Sequence, residues 1–257
     1  LFLALGVVIY KLPPQVSFND ALSLAGGMGK LNLVDFKFDP SNKYNFWSGI
    51  LGGTFLFLSY FGTDQSQVQR YLSGKSLTES RLGLLFNGIF KVPMQFAVLF
   101  VGMMVFVFYQ FTQPPIHFNQ VNLDKLELSA DSSNLKSLQT SYDNLFRTKE
   151  KSLDNYIISV HEKNIDDQKK YISELKKIKS EEKVIRNDVK SLIEKTDKNA
   201  ISDDTDYIFI TFVTKHLPVG IVGLLIAMIF AASMSSTSSE LNALATTSVI
   251  DFYKRST

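Results

Sequence analysis

Four small residues near the C-terminal end of the sequence have the types and the spacing to hold a small cation. They recur at i, i+3, i+4 and i+7, so a helix places them on one face, which we call the hydroxyl face: Ala232, Ser235, Ser236 and Ser239. Hydroxyl and carbonyl oxygens are the ligands that small hard cations take. The alternative is helix packing, because small residues let membrane helices approach closely and serine bonds to carbonyls of its own helix. From the residues alone both interpretations stay open.

The segment around the hydroxyl face, residues 217–255, predicts a membrane-spanning helix. It opens at Pro218, which fits the first turn of a helix, and it carries no charge as far as Phe230. It ends with Asp251 and the basic pair Lys254–Arg255. Lipid offers no hydrogen-bond partner, so hydroxyls at membrane depth must face protein or a wet cavity.

The N-terminal part predicts a truncated span, a short helix and a first complete span. Residues 1–10 are too short to cross a bilayer, which takes about 20 apolar residues, and we interpret them as the end of a span in a longer protein. A short amphipathic helix is predicted near residues 17–25. The first complete span is predicted from Phe46 to about Gln69, with Trp47 anchored at the membrane interface.

A second complete span is predicted from Leu82 to Tyr109, after a capping box formed by Ser76 and Glu79. Pro93 lacks a backbone N–H, so the helix is expected to kink or open near Lys91. A lysine inside a span costs at least ~2.5 kcal/mol and therefore needs a wet cavity or a partner. The alternative is that Lys91 snorkels towards the interface.

Residues 112–207 form a polar segment, dense in Lys, Glu and Asp, with Leu, Ile and Val at helical spacing. Both of its ends return to apolar segments, so we predict an antiparallel helical hairpin with its turn near residues 164–167. Its charges are interpreted as a solvated face. The three histidines are isolated and lack metal-ligand spacing: His117, His161 and His216.

Charge and composition limit the possible membrane topology and the possible classes of partner. The basic link from Arg70 to Arg81 and the pair Lys254–Arg255 are both predicted on the cytoplasmic side of a cell membrane, which places residues 112–207 outside and makes the chain multi-pass. A net charge of +2 gives no reason to expect a nucleic-acid partner. The sequence has no Cys, which excludes a disulfide framework and thiolate metal sites. No catalytic residue is predicted, and the chain is not expected to be an enzyme.

Two blocks in combination resemble the sodium:solute symporter family. AASMSSTSSELNALATTSVIDFYKR (residues 231–255) is similar to its eighth core helix, and SYFGTDQSQVQRYLSGKSLTESRLG (residues 59–83) is similar to its sixth helix and the link to the seventh. The resemblance implies an internal fragment of an all-α, LeuT-type inverted-repeat bundle, from the end of core helix 5 to helix 8. Residues 1–111 and 208–257 are then transmembrane, and residues 112–207 are an external helical-hairpin insertion.

The resemblance also implies a sodium site. Its ligands in this sequence would be the carbonyl of Ala232 and the hydroxyls of Ser235 and Ser236, with the others on the first core helix, which this sequence does not contain. Ser238 matches a position that some members use for a second sodium ion. The implied activity is sodium-coupled symport of a small organic solute across the lipid bilayer by alternating access.

For the solute, the resemblance implies that Tyr60 gates the cavity and Lys91 lines it. Phe57 stands where a sugar-transporting member has Asn, which argues against a hexose and for a less polyhydroxylated solute. Asp64 and Glu240 are acidic residues that depart from the family's pattern, and we expect them only to line a water-filled exit path. Two other functions stay open: the sensor input domain of a membrane signalling protein, or a scaffold that docks a protein partner through the hairpin.

Overall fold

The computed structural model of the chain describes residues 2–32, 35–39, 41–42, 45–72 and 74–256, and the regular structure within these ranges is helical. In chain order the elements are α1 (Phe2–Tyr10), α2 (Phe18–Gly27), α3 (Phe46–Gly62), α4 (Gln65–Leu72), α5 (Leu77–Phe111), α6 (Gln120–Glu127), α7 (Ser132–His161), α8 (Ile165–Thr196), α9 (Tyr207–His216), α10 (Val219–Thr247), a π-helical segment (Ser248–Tyr253) and α11 (Lys254–Ser256).

Tertiary contacts divide the chain into two compact units. The first comprises residues 1–31 and 98–217, and the second comprises residues 32–97 and 218–257. The predicted boundaries at residues 111 and 207 were drawn from hydropathy and mark where the chain is expected to leave and re-enter the membrane. They differ from the boundaries between the two units and stay a prediction.

The first unit is built around a long helical hairpin made of α7 and α8. Three residues join these helices, and Lys163 among them takes the left-handed conformation with φ 55°. The side chain of Asn164 accepts a hydrogen bond from the Asp167 N–H, at 3.3 Å, and so caps the start of α8. A hairpin was predicted here, and its turn lies about two residues earlier than expected because Asn164 and Asp167 belong to the cap of α8.

Apolar side chains at helical spacing close the hairpin. Each buried side chain of this kind stabilises the fold by about 1.5–3 kcal/mol relative to exposure. The cluster joins the hairpin to α6 and to the chain before it, and its buried members are Ile116, Leu123, Leu126, Leu135, Tyr142, Val189 and Ile193.

Buried charges tie the hairpin together, so the predicted solvated face is wrong at two positions. Lys149 on α7 is 3% exposed, and its Nζ lies 3.2 Å from Oε1 of Glu182 on α8. Asp204 is 2% exposed and accepts hydrogen bonds from the Phe118 N–H at 2.7 Å and from the Arg186 guanidinium at 2.6 Å. Burial alone would raise the pKa of Asp204, but these donors hold it below its ordinary value.

The short helix predicted near residues 17–25 is α2, and it packs on the hairpin. Ser17 and Asp20 form a capping box, and the same Asp20 carboxylate lies 3.1 Å from Nε2 of His161 at the end of α7. A Cβ added at Gly27 would meet the Cδ1 of Ile172 on α8 at 2.5 Å. Gly27 therefore permits the close approach of α2 to α8.

In the second unit, α3 ends earlier than predicted. It stops at Gly62 instead of continuing to about Gln69, because Thr63 and Asp64 break the helix. Oδ1 of Asp64 accepts hydrogen bonds from the N–H (3.0 Å) and the hydroxyl (2.8 Å) of Ser66 and so starts α4. Asp64, expected only to line an exit path, is a helix cap.

The second predicted span is α5, which is longer than predicted and stays helical across Pro93, so the expected opening near Lys91 is not found. Ser76 accepts the Glu79 N–H at 3.2 Å, while the Glu79 carboxylate reaches back to the Lys75 N–H at 2.9 Å instead of that of Ser76.

By length and composition, α5 and the continuous helix Val219–Ser256 are candidate membrane spans, and α3 is a shorter apolar helix. These elements fit an all-α membrane protein.

Candidate functional site

The hydroxyl face lies in the middle of α10, and the helix continues without a break from Val219 to Thr247. Pro218 is the N-cap residue, one position before the first turn in which it was predicted. Ala232, Ser235 and Ser236 are exposed and Ser239 is half-buried. The face is therefore open to a ligand or to another helix.

Hydrogen bonds within α10 bring a carbonyl and a hydroxyl of this face together. The Ser236 hydroxyl donates to the Ala232 carbonyl oxygen at 3.1 Å. Two oxygens at that separation fit on one cation at about 2.4 Å from each, where they subtend an angle of roughly 80°. The Ser236 hydroxyl hydrogen would have to turn away from the carbonyl. Ser235, one residue before, places a third oxygen on the same face.

Ser238, the residue predicted for a second sodium ion, lies on the same helix and is exposed. At 3.6 residues per turn it points about 110° away from the centre of the hydroxyl face. The structure therefore does not bring Ser238 together with Ala232, Ser235 and Ser236. In the described ranges, no group of three or more His, Asp or Glu side chains is placed to hold a metal ion.

Helix α4 contacts α10 at the C-terminal end of the hydroxyl face. The Arg70 guanidinium donates to the Ser239 hydroxyl from Nε at 3.1 Å and from Nη2 at 2.8 Å. The Ser239 hydroxyl in turn donates to the Ser235 carbonyl at 3.2 Å. From the sequence, Arg70 was interpreted only as a charge that sets topology. Its contact with α10 joins residues far apart in sequence, and no local pattern indicates it.

Two residues predicted to bind solute come together on α3 and α5. The Lys91 Nζ lies 5.4 Å from the centroid of the Tyr60 ring, and the Tyr60 hydroxyl donates to Oε1 of Gln67 at 2.9 Å. Tyr60 and Lys91 line an open groove of about 680 Å³ together with Arg70 and Asn87. Lys91 thus has an aromatic partner and polar neighbours, as a lysine within a span requires.

Phe57 does not join this groove. Its ring stacks on Phe61 with 6.0 Å between centroids, and it lines a separate apolar groove of about 730 Å³ with Gly49 and Gly53. Phe61 lines both grooves. The structure therefore places Phe57 in a different groove from Tyr60 and Lys91, the residues with which it was grouped.

Parts of the chain are similar to a known protein family and to several known transporters. Residues 196–257 match the model of the Sodium:solute symporter family. The sodium/iodide cotransporter of Homo sapiens is 39% identical over 114 residues, which are 44% of this chain and 17% of that protein. Sodium-coupled monocarboxylate transporter 2 of Mus musculus is 41% identical over 70 residues (27% of this chain, 11% of that protein). No solved structure gives a significant match.

Sodium-coupled monocarboxylate transporter 1 of Homo sapiens is 40% identical over 81 residues, which are 32% of this chain and 13% of that protein. The chain spans less than a fifth of the length of these relatives. Their names are those of transporters, in agreement with the expectation that the chain is not an enzyme. The segment that matches the sodium:solute symporter family, residues 196–257, contains the whole of α10 with its hydroxyl face.

Proposed function

We propose that the whole protein is a multi-pass cell-membrane symporter that couples the entry of sodium to that of a small organic solute. The observation that carries the proposal is the hydroxyl face of α10, which pairs a carbonyl and a hydroxyl 3.1 Å apart inside the segment that matches the family. The fold proposed for the whole protein is the LeuT-type inverted repeat, with binding near the bilayer midplane and transport by alternating access.

Sodium, as a transported ion, would bind to the carbonyl of Ala232 and the hydroxyls of Ser235 and Ser236. Hard cations take about six or more oxygen ligands, so further oxygens must come from elsewhere in the whole protein. Ser238 is proposed only as a ligand of a second sodium ion. Binding would favour the state that accepts solute, and release would reset it.

The driving force of one sodium ion is sufficient. A charge that crosses ~100 mV yields about 2.3 kcal/mol, and a tenfold concentration gradient adds about 1.4 kcal/mol. Together these two free energies can sustain a roughly few-hundredfold accumulation of a neutral solute. For a monovalent anion carried with one sodium the membrane potential contributes nothing, so accumulation beyond about tenfold at that gradient requires a second sodium ion.

For the solute we propose a small carboxylate anion with few hydroxyl groups. The groove that Tyr60 lines has two cations, Lys91 and Arg70, against one carboxylate, Glu79, and carboxylate solutes bind such cations through charge-assisted hydrogen bonds. The relatives compared above are named for iodide and monocarboxylates, which are monovalent anions. Phe57 would contribute an apolar wall beside the groove and not a polar contact. The relatives' names give no support to the sensor or scaffold functions, and a protein partner for residues 112–207 stays a prediction.

Uptake by the whole protein in proteoliposomes tests this function. An inward sodium gradient should drive uptake of radiolabelled lactate but not glucose, and an equal potassium gradient should drive neither. Lys91→Gln should lower lactate uptake at low concentration by roughly 10- to 100-fold, because a hydrogen bond to a charged group is lost. Lys75→Gln removes the same charge outside the groove and should leave uptake unchanged.

The outcomes separate the parts of the proposal. Uptake that does not depend on sodium contradicts symport. Sodium-driven glucose uptake contradicts the assignment of an anionic solute and leaves symport standing. Equal effects of Lys91→Gln and Lys75→Gln would remove Lys91 from the solute site.

A further inference from the structure

Two lysines of the first unit share one aromatic ring. The Nζ of Lys30, just after α2, lies 4.8 Å from the centroid of Phe106, and the Nζ of Lys179 on α8 lies 5.1 Å from the same centroid. The two ammonium groups are therefore at most about 10 Å apart, which is comparable to the Debye length of about 8–10 Å in 0.1–0.15 M salt. An aromatic face attracts a cation but does not neutralise it.

The charges around this pair are predominantly positive. Lys149, Lys176 and Glu182 are the other charged groups that act on Lys179. Burial lowers the pKa of Lys179, the nearby Lys30 adds to the shift, and Glu182 opposes it. Glu182 is already paired with the buried Lys149, at 3.2 Å. Within the described part of the chain, Glu182 is therefore the one carboxylate that acts on Lys179, and Lys149 already pairs with it.

The excess charge continues along one face of α8. Lys176, Lys179 and Lys183 recur at i, i+3 and i+7 and line an open groove of about 660 Å³. The carboxylates of this groove are already in ion pairs, since Asp204 lies 2.6 Å from Arg186. The groove is large enough for a phosphate group, and its lysine ammonium groups are suitable donors.

The shared ring fixes the cluster near the end of a candidate span. Phe106 lies on α5, five residues before the helix ends at Phe111, which is about 8 Å along the helix axis. A helix of 35 residues is about 52 Å long and exceeds the ~30 Å hydrocarbon core of a bilayer. Lysine side chains at such a helix end reach the depth of lipid headgroups.

We propose that Lys30, Lys176, Lys179 and Lys183 form a binding site for a phosphate-type oxyanion, supplied by a lipid headgroup or by free phosphate. Lys179 links the pair at the Phe106 ring to the lysines along the groove, and the carboxylates of that groove are already paired. Neighbouring ammonium groups repel one another, and a bound oxyanion relieves that repulsion while it accepts hydrogen bonds from their N–H groups. The site lies within the first unit and does not depend on the proposed transport function.

Thermal unfolding of the purified whole protein in a nonionic detergent, with phosphatidylglycerol, phosphatidylcholine or inorganic phosphate titrated in, tests the site. Phosphatidylglycerol should raise the unfolding midpoint more than zwitterionic phosphatidylcholine does. Lys30→Gln/Lys179→Gln should raise the apparent Kd about thirtyfold, from a loss of about 1 kcal/mol for each lysine. Lys136→Gln/Lys198→Gln removes the same charge from exposed positions of the same unit and should leave the Kd unchanged.

The comparison between ligands identifies the source. Saturable stabilisation by inorganic phosphate alone indicates a free anion, and stabilisation only by phosphatidylglycerol indicates a lipid. If the Lys30/Lys179 variant does not fold, Lys176→Gln/Lys183→Gln keeps the test open, because both side chains are exposed and should still weaken binding. The proposal is overturned if neither ligand stabilises the wild type, or if the lysine variants bind as tightly as it does. A loss of binding in the Lys136/Lys198 control equal to that in the cluster variants overturns it as well.

Discussion

Asp204 shows how a single charged residue holds the base of the hairpin. Its carboxylate receives the Phe118 N–H from one connection and the Arg186 guanidinium from α8, and it is 2% exposed. A run of charges in a sequence does not reveal which member is buried, because burial depends on where the two connections meet. The sequence therefore predicts the polar character of residues 112–207 but not this contact.

Replacing Asp204 with Asn should lower the free energy of unfolding by about 3 kcal/mol, since Arg186 is left without its buried partner. The pKa of Asp204 is held below its ordinary value of 3.8. Its contribution to stability should therefore be complete above about pH 5 and be lost as the pH falls through the lowered pKa. Thermal unfolding of the wild type and the variant between neutral and acid pH measures both effects.

Asp206→Asn is the matched control, because Asp206 is exposed and its side chain does not cap α9. It should leave stability nearly unchanged. An equal loss of stability in the two variants would show that the buried carboxylate does not hold the base of the hairpin. The same conclusion would follow if stability fell at acid pH to the same extent in the wild type and in Asp204→Asn.

The hairpin of α7 and α8 is the element that the sequence predicts best, because apolar residues at helical spacing mark both of its faces. Helix ends were predictable only where a local signal was used. The capping pair Ser76 and Glu79 predicts the start of α5, and the similar pair Asp64 and Gln67 could have predicted the break before α4. The π-helical segment Ser248–Tyr253 has no comparable signal in its residue types.

The ion pair between Lys149 and Glu182 makes a prediction about the hairpin. Glu182→Gln should destabilise the protein by about 3 kcal/mol, because it leaves Lys149 buried without a counter-charge. Lys149→Met added to Glu182→Gln should recover most of the loss, because the buried charge is removed as well. Thermal unfolding of the two single variants and the double variant measures the coupling. Purely additive effects would contradict the pairing.

On the scale of the whole molecule, the second unit contains the residues proposed for transport. The Tyr60–Lys91 groove and the hydroxyl face belong to that unit, and Arg70 both lines the groove and contacts Ser239. The resemblance to a family selected Tyr60 and Lys91 from the sequence. It did not predict that Phe57 lines a different groove, because the groove that a side chain lines depends on its direction from the helix and on the neighbouring rings.

The central claim is that the hydroxyl face binds sodium, and thermal stability of the whole protein in detergent tests it most directly. Sodium should raise the unfolding midpoint of the wild type relative to equal potassium, with a gain of about 2.7 kcal/mol at a hundredfold excess over Kd. The gain should vanish in Ser235→Ala/Ser236→Ala and persist in Ser233→Ala/Thr237→Ala, which removes two hydroxyls outside the face. Equal stabilisation of all three proteins by sodium, or of none, would contradict the claim and leave helix packing as the role of these serines.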